Sequence, residues 1–228
     1  MNLKLKHNSK ILTIGIAIAT MVIGFFIFSK IRLYSDRQLL KKCQGKKICP
    51  GRIAALKSLV NANENLAQIS LNNADLNGID LSGANLKSVN LSGANLQGAD
   101  LKSINLSGAN LRGANLKNAN LKSANLQSAD LSQVNFLFTN LTLANLTDAD
   151  LKDANLTDAN LFNADLKDAN LKNANLSGTN LSNANIQGAQ LQKVKVNIFA
   201  LKFARNWNLA YYDRQLSQKL GLTPKNKN

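Results

Sequence analysis

Histidine is nearly absent from this 228-residue chain: there is one, His7. A Ser-His-Asp or Cys-His arrangement needs a histidine beside its nucleophile, so acyl-transfer chemistry of that kind is excluded. Cysteine is equally scarce. Cys43 and Cys49 are the only two, and with His7 far away they cannot complete a zinc site. Proline occurs only at Pro50 and Pro224, which leaves a long central stretch in which no backbone amide is missing. Dinucleotide and phosphate-binding loops are absent. No cofactor, metal or catalytic residue is expected.

What the chain has is leucine at a fixed interval. From Leu66 to Leu191 the centre of every five-residue unit is leucine, except for Phe136 and Ile186, through twenty-six units without a slip. A five-residue step scatters side chains around a helix and throws them to alternate faces of a strand, so neither element fits. The period requires a chain that turns once per unit and points its leucine the same way each time. Two residues before each centre from Leu71 onward sits alanine or another small or β-branched residue, as at Ile79, Val89 and Thr139. These two positions face inward and the other three outward. Of the twenty-six occupants two places after the centre, twenty-one are Gly, Asn, Asp or Ser. Those are turn residues, and Gly and Asn also tolerate positive φ, so a corner falls there.

Tandem units such as "LSGANLQGAD" resemble the A(D/N)LXX repeats of pentapeptide-repeat proteins. The resemblance implies an all-β, right-handed, parallel β-helix of quadrilateral section with four units per coil, here about six and a half coils. The tail "RNWNLAYYDRQLSQKLGL" is similar to tails of cyanobacterial members. One unit alone cannot offset its ordering entropy, so a stacked rod needs covers at both ends. "GRIAALKSLVNAN" supplies one, with Ile53, Leu56, Leu59 and Val60 on a helical face. Phe199, Phe203 and Trp207, then Leu216 and Leu220, are spaced by four for the other. A partner-docking helix is the alternative for both.

The net charge of +15 lies outside the repeat. Residues 66–195 hold ten basic and ten acidic side chains, so the excess sits in residues 1–65 and 196–228. A neutral repeat is not a nucleic-acid surface. Ile11–Ser29 carries no charge between Lys10 and Lys30. At 1.5 Å per residue it spans about 28 Å, the length of a transmembrane helix. A single-pass membrane location is therefore expected. Lys30, Arg32, Arg37, Lys41 and Lys42 lean toward a repeat on the cytoplasmic side. The cysteines, with five residues between them, suit an oxidising compartment if bonded and the cytosol if free. The expected divisions are a basic flank (1–10), a transmembrane helix (11–29), a basic linker with the cysteine pair (30–51), a capping helix (52–63), the repeat (64–195), a helical cap (196–222) and a tail (223–228).

Asp148, Asp150, Asp153, Asp158, Asp165 and Asp168 cluster among Lys152, Lys167 and Lys172 and read as a solvated face. With twenty residues per coil, Asp80 is expected under Asp100, and Asp130 under Asp150. One irregularity stands out. Leu137, Phe138, Leu143 and Phe162 occupy outward positions that are otherwise polar. Either they form a contact patch or a local bulge tucks them away. The function expected is a non-enzymatic, membrane-tethered scaffold for a protein partner, with a second copy as one candidate. The resemblance also admits a DNA-mimicking, topoisomerase-protecting role, which the neutral repeat disfavours, or a passive envelope or lumenal component.

Overall fold

The computed structural model of the chain describes residues 22, 24–67 and 69–222. Its centre is a solenoid whose turn is written in each unit. The carbonyl of the central leucine accepts a hydrogen bond from the amide three residues on, as from Ala74 to Leu71 (3.1 Å). The residue before that amide takes positive φ at every described corner from Asn73 to Lys193. That combination is the type II turn, with its left-handed residue third.

Successive coils are in register at twenty residues. Asn95 bridges Asn115 in parallel, Asn115 bridges Asn135, and the pattern continues to Asn185 with Arg205. Asp80 lies beside Asp100 and Asp130 beside Asp150. Four five-residue units thus make one coil, and each side is a single bridge between two turns, too short to extend as a strand. Each side satisfies its backbone in both directions: the Asn95 amide donates to the Ala74 carbonyl of the coil before (2.9 Å), and the Leu96 amide to the Asn115 carbonyl of the coil after (2.7 Å).

Central residues fill the interior, with Phe136 the largest of them, and the small residues two places earlier close it. Thr139 and Thr179 are the polar exceptions in that inner row. Their hydroxyls donate to the carbonyls of Leu116 and Leu156, both at 2.7 Å, so neither leaves an unpaired buried group.

The N-terminal cover is built from two helices. α1 runs through residues 24–42 and α2 is Arg52–Asn61. Leu40 of α1 and Ala55, Leu56 and Leu59 of α2 are buried in the same core as Leu66 and the coils that follow. The inward stripe of α2 is Arg52, Ala55, Leu56 and Leu59 rather than one containing Ile53, which is exposed.

The membrane-spanning location is corrected at this point. Among the described residues no helix is long and apolar enough to cross a membrane. Residues 11–21 and 23 of the apolar run lie outside the described residues. What is described does not stop at Lys30: α1 continues past Arg32, Asp36, Arg37, Lys41 and Lys42 and packs Leu33, Leu39 and Leu40 on the core. Its second half is therefore a charged capping helix and not a linker, and the inference of a cytoplasmic side falls with the span.

At the other end the coil is continued by a more irregular chain. β1 (Gln190–Leu191) pairs in parallel with β2 (Tyr211–Tyr212), after α3 (Ile198–Lys202) and a 3-10 turn at Trp207–Leu209. α4 (Arg214–Leu220) closes it. Leu201, Ala204, Ala210, Ser217 and Leu220 are the buried residues here. Phe199 and Phe203 are 74% and 69% exposed, so they do not cap. Their four-residue spacing never becomes one helical face, because α3 ends at Lys202 and Arg205 rejoins the coil beside Asn185.

Asp213 holds this cover together. Its carboxylate accepts from the Leu216 amide at the start of α4 (2.9 Å) and from the Lys193 amide of the last unit (2.8 Å). The Leu216 bond is the main reason its pKa is lowered. A carboxyl with a lowered folded pKa contributes stability above its unfolded pKa and loses it as the pH falls through the folded value. Asp213→Ala is expected to cost about 0.5–2 kcal/mol at neutral pH, the range for a lost N-cap. Paired melts at pH 7 and pH 3 check this, the difference between variant and wild type shrinking in acid.

Candidate functional site

The residue before each central leucine does two structural jobs. Its side-chain oxygen accepts from the amide two residues on, as Ser92 to Asn90 (3.0 Å) and Lys102 to Asp100 (3.1 Å). Where it is asparagine, in many units its amide group also donates to the same position one coil earlier. Asn155 donates to Asn135, Asn135 to Asn115, Asn115 to Asn95, and Asn95 to Asp75, at 2.9–3.2 Å. Aspartate accepts only, so it ends such a ladder. These polar rows are thereby engaged in stacking the coils. Among the described residues no group of three or more His, Cys, Asp or Glu is placed to hold a metal.

The four apolar outward residues sit at two neighbouring corners. Leu137 and Phe138 form the turn from Phe136 to Thr139, and Leu143 lies in the turn from Leu141 to Ala144. Between them is the side centred on Asn140, itself bridged to Asn120 and Asn160. Phe162 belongs to the Leu143 corner one coil on, and its carbonyl accepts from the Leu143 amide (3.0 Å). The structure thus brings Leu143 and Phe162 together, and sets Leu137 and Phe138 across one side from them. The twenty-residue register is unbroken through this region, so no bulge takes them inward. Phe138 is 54% exposed, Leu143 51% and Phe162 37%, while Leu137 is half-buried.

The backbone sharpens the point. Phe138 and Leu143 hold φ of 57° and 61°, in the left-handed region where bulky residues are outliers. Corners elsewhere use glycine to relieve this, or to make room. At Gly178, one coil beyond Asp158, an added Cβ would run into the Asp158 carboxylate, which leans across it. The large apolar side chains of Phe138 and Leu143 stay about half exposed, so burial offsets only part of the cost of the left-handed backbone.

Charge is sparse on this side of the rod at the height of the four apolar residues. Over residues 137–143 and 157–163 the one charged side chain is Asp158, whereas residues 147–153 and 167–173, on the opposite side, carry seven. The apolar character also continues toward the C-terminal cover. Phe203 falls sixty residues after Leu143, at the same corner, where its carbonyl accepts from Asn183 (3.0 Å). Sequence reasoning assigned Phe203 to the cap; its place in the twenty-residue register was the signal that it belongs to the corner row.

Cys43 and Cys49 lie at the far end of the molecule from Phe203 in sequence and are joined to each other by a disulfide. Their loop is held from within by Arg52, whose buried guanidinium donates to the carbonyls of Cys43 (2.9 Å), Lys47 (3.1 Å) and Lys46. Burial lowers the Arg52 pKa and the Asp75 charge opposes that shift. Nothing in the sequence marked Arg52 apart from the other basic residues around it.

A chain that turns every five residues and stacks in register at twenty is a four-sided repeat solenoid. Residues 65–102, 99–136, 124–161 and 159–197 match the family model described as pentapeptide repeats, in 8 copies, and the chain belongs to that family. No curated protein matches it significantly. Among solved structures it is similar to HetL, a pentapeptide repeat protein involved in heterocyst differentiation regulation from the cyanobacterium Nostoc sp. strain PCC 7120. The identity is 27%, over 63% of this chain and 85% of that one, with a TM-score of 0.28. A pentapeptide repeat protein of the Arabidopsis thaliana thylakoid lumen is 25% identical over 57% of this chain and 76% of its own, with a TM-score of 0.27. A trypsin-treated form of QnrB1, a plasmid-mediated fluoroquinolone resistance protein, is 18% identical over 67% and 87%, with a TM-score of 0.37.

Proposed function

We propose that this chain is a non-enzymatic interaction scaffold, a right-handed rod of about six and a half coils that presents one side with an apolar centre to a protein partner. In this reading the units in residues 64–195 carry the binding side, centred on Leu137, Phe138, Leu143 and Phe162. Residues 52–63 and 196–222 cover the ends. The observation that carries it is the pair Phe138 and Leu143, each more than half exposed and each at positive φ. Folding is served better there by the Asn118 or Asn163 found at equivalent corners. Side chains that cost backbone strain and water contact without packing inside are kept for what they touch outside. The ten-to-ten charge balance of the repeat gives no support to imitation of duplex phosphates.

The double substitution Phe138→Asn with Leu143→Asn tests this. Exposed positions usually change stability by less than about 0.5 kcal/mol, whereas core truncations cost about 2–5 kcal/mol. The melting temperature is therefore expected to hold or rise, while association with a protein partner, including another copy of the chain, weakens. A large fall in melting temperature would show that the two side chains serve packing. Unchanged stability with unchanged association would remove the function assigned to this side.

A further inference from the structure

We propose that the occupant of this side is a second copy of the chain, lying antiparallel along it about a two-fold axis at the height of Phe138. The inference rests on the interaction-scaffold reading and adds the identity and orientation of the partner. Its basis is the order of side chains along the two corners. At the first corner Lys117 lies one coil before Leu137 and Phe138, and Asp158 one coil after. The links are the Asn118 amide to the Leu137 carbonyl (3.0 Å) and the Phe138 amide to the Thr157 carbonyl (3.2 Å). Opposite charges thus flank an apolar pair at equal distances along the rod. At the second corner Lys122 lies one coil before Leu143, since the Ser123 amide donates to the Thr142 carbonyl (2.9 Å), and Phe162 lies one coil after.

A two-fold rotation that reverses the rod leaves each corner facing its own copy and exchanges what lies before the axis with what lies after it. Phe138 then meets Phe138 and Leu143 meets Leu143, covering the apolar surface that each chain leaves in water. Lys117 of each copy meets Asp158 of the other, twice by symmetry. Lys122 meets the Phe162 ring, an arrangement that suits a cation on an aromatic face. The row between the corners, Asn120, Asn140, Asn160 and Asn180, is uncharged and allows close approach. A parallel pairing would instead bring the two different corners together and set Lys117 against Lys122, which is repulsive. A self-complementary patch of this kind is what an isologous contact requires.

The test is sedimentation equilibrium of the full chain with two charge reversals, Lys117→Asp and Asp158→Lys. The wild type is expected to be a dimer. Each single reversal sets like charges against each other at two places and should weaken the dimer by about tenfold or more with the melting temperature unchanged. Mixing the two singly reversed chains should restore dimers, because every facing pair is then again opposite in sign. The double variant should self-associate to within about threefold of the wild type. A chain that remains monomeric at about 100 µM overturns the proposal. So does a dimer indifferent to the reversals, or singly reversed chains that do not pair on mixing. If the wild type is monomeric but Phe138→Asn with Leu143→Asn still abolishes capture of a different protein, the binding side stands and only its occupant was wrong. If that capture is also unaffected, both readings fall.

Discussion

Leu111→Lys is expected to remove the cooperative unfolding transition of the rod, while Lys102→Ala leaves it within about 0.5 kcal/mol. Leu111 is fully buried, in line with Leu91 and Leu131, and its amide donates to the Asp130 carbonyl of the coil after (2.8 Å). Loss of such a leucine costs about 2–5 kcal/mol by itself. The ammonium that replaces it costs several kcal/mol more in desolvation. No buried carboxylate is there to receive it: the buried polar residues of the described structure are Arg52, Thr139, Thr179 and Ser217. Together these terms are comparable with the whole stability of an ordinary domain, about 5–15 kcal/mol. In a solenoid the damage also reaches both neighbouring interfaces, since a coil has no other contacts to fall back on. Thermal denaturation followed by circular dichroism measures it. Two variants melting together would mean that the central residue of the unit does not point inward.

That inward assignment was legible in the sequence because a repeat states the same fact twenty-six times. A period that suits neither helix nor strand left only a turn in each unit, and the corner residues located it. Exceptions against so regular a background are conspicuous, which is why Phe138 and Leu143 could be singled out beforehand. Choosing between a bulge and an exposed corner needed the register of Asn140 with Asn120 and Asn160. The ends were harder to read. α3 and α4 are five and seven residues long, too short for apolar spacing to establish a face. Phe199 and Phe203 were therefore given to a cap that Leu201 and Ala204 in fact supply. At the other end, a run of apolar residues followed by lysines suggested a span that stops at Lys30. The described helix passes through those charges and buries Leu40. Local composition cannot reveal that burial, because the core that Leu40 joins is built from other parts of the chain.

Arg52→Ala is expected to open the N-terminal cover and lower stability by about 3–5 kcal/mol, the cost of removing one partner from a buried charged network. The first coil has no predecessor to receive its amides, and the disulfide loop takes that place. Where the Asn95 amide finds the Ala74 carbonyl, the Asp75 amide finds the carbonyl of Lys47 (3.0 Å). Asn72 reinforces the seam by accepting from the Gly45 amide (3.0 Å). Lys47 in turn is held because Arg52 gathers its carbonyl together with those of Cys43 and Lys46. A planar guanidinium spreads donors over three acceptors in a way a lysine ammonium cannot reproduce, so Arg52→Lys should recover only part of the loss. Cys43 and Cys49 are six apart in sequence, and closing so short a loop contributes about 2.4 kcal/mol by chain entropy. Reduction should therefore lower the melting temperature less than Arg52→Ala does. The two effects should also fall short of additive, since both act on one loop. Hydrogen exchange supplies the decisive reading. In Arg52→Ala the Asp75 amide should lose protection while the Asn135 amide, deep in the rod, keeps it. Equal protection of Asp75 in variant and wild type would mean that the loop covers the first coil without Arg52.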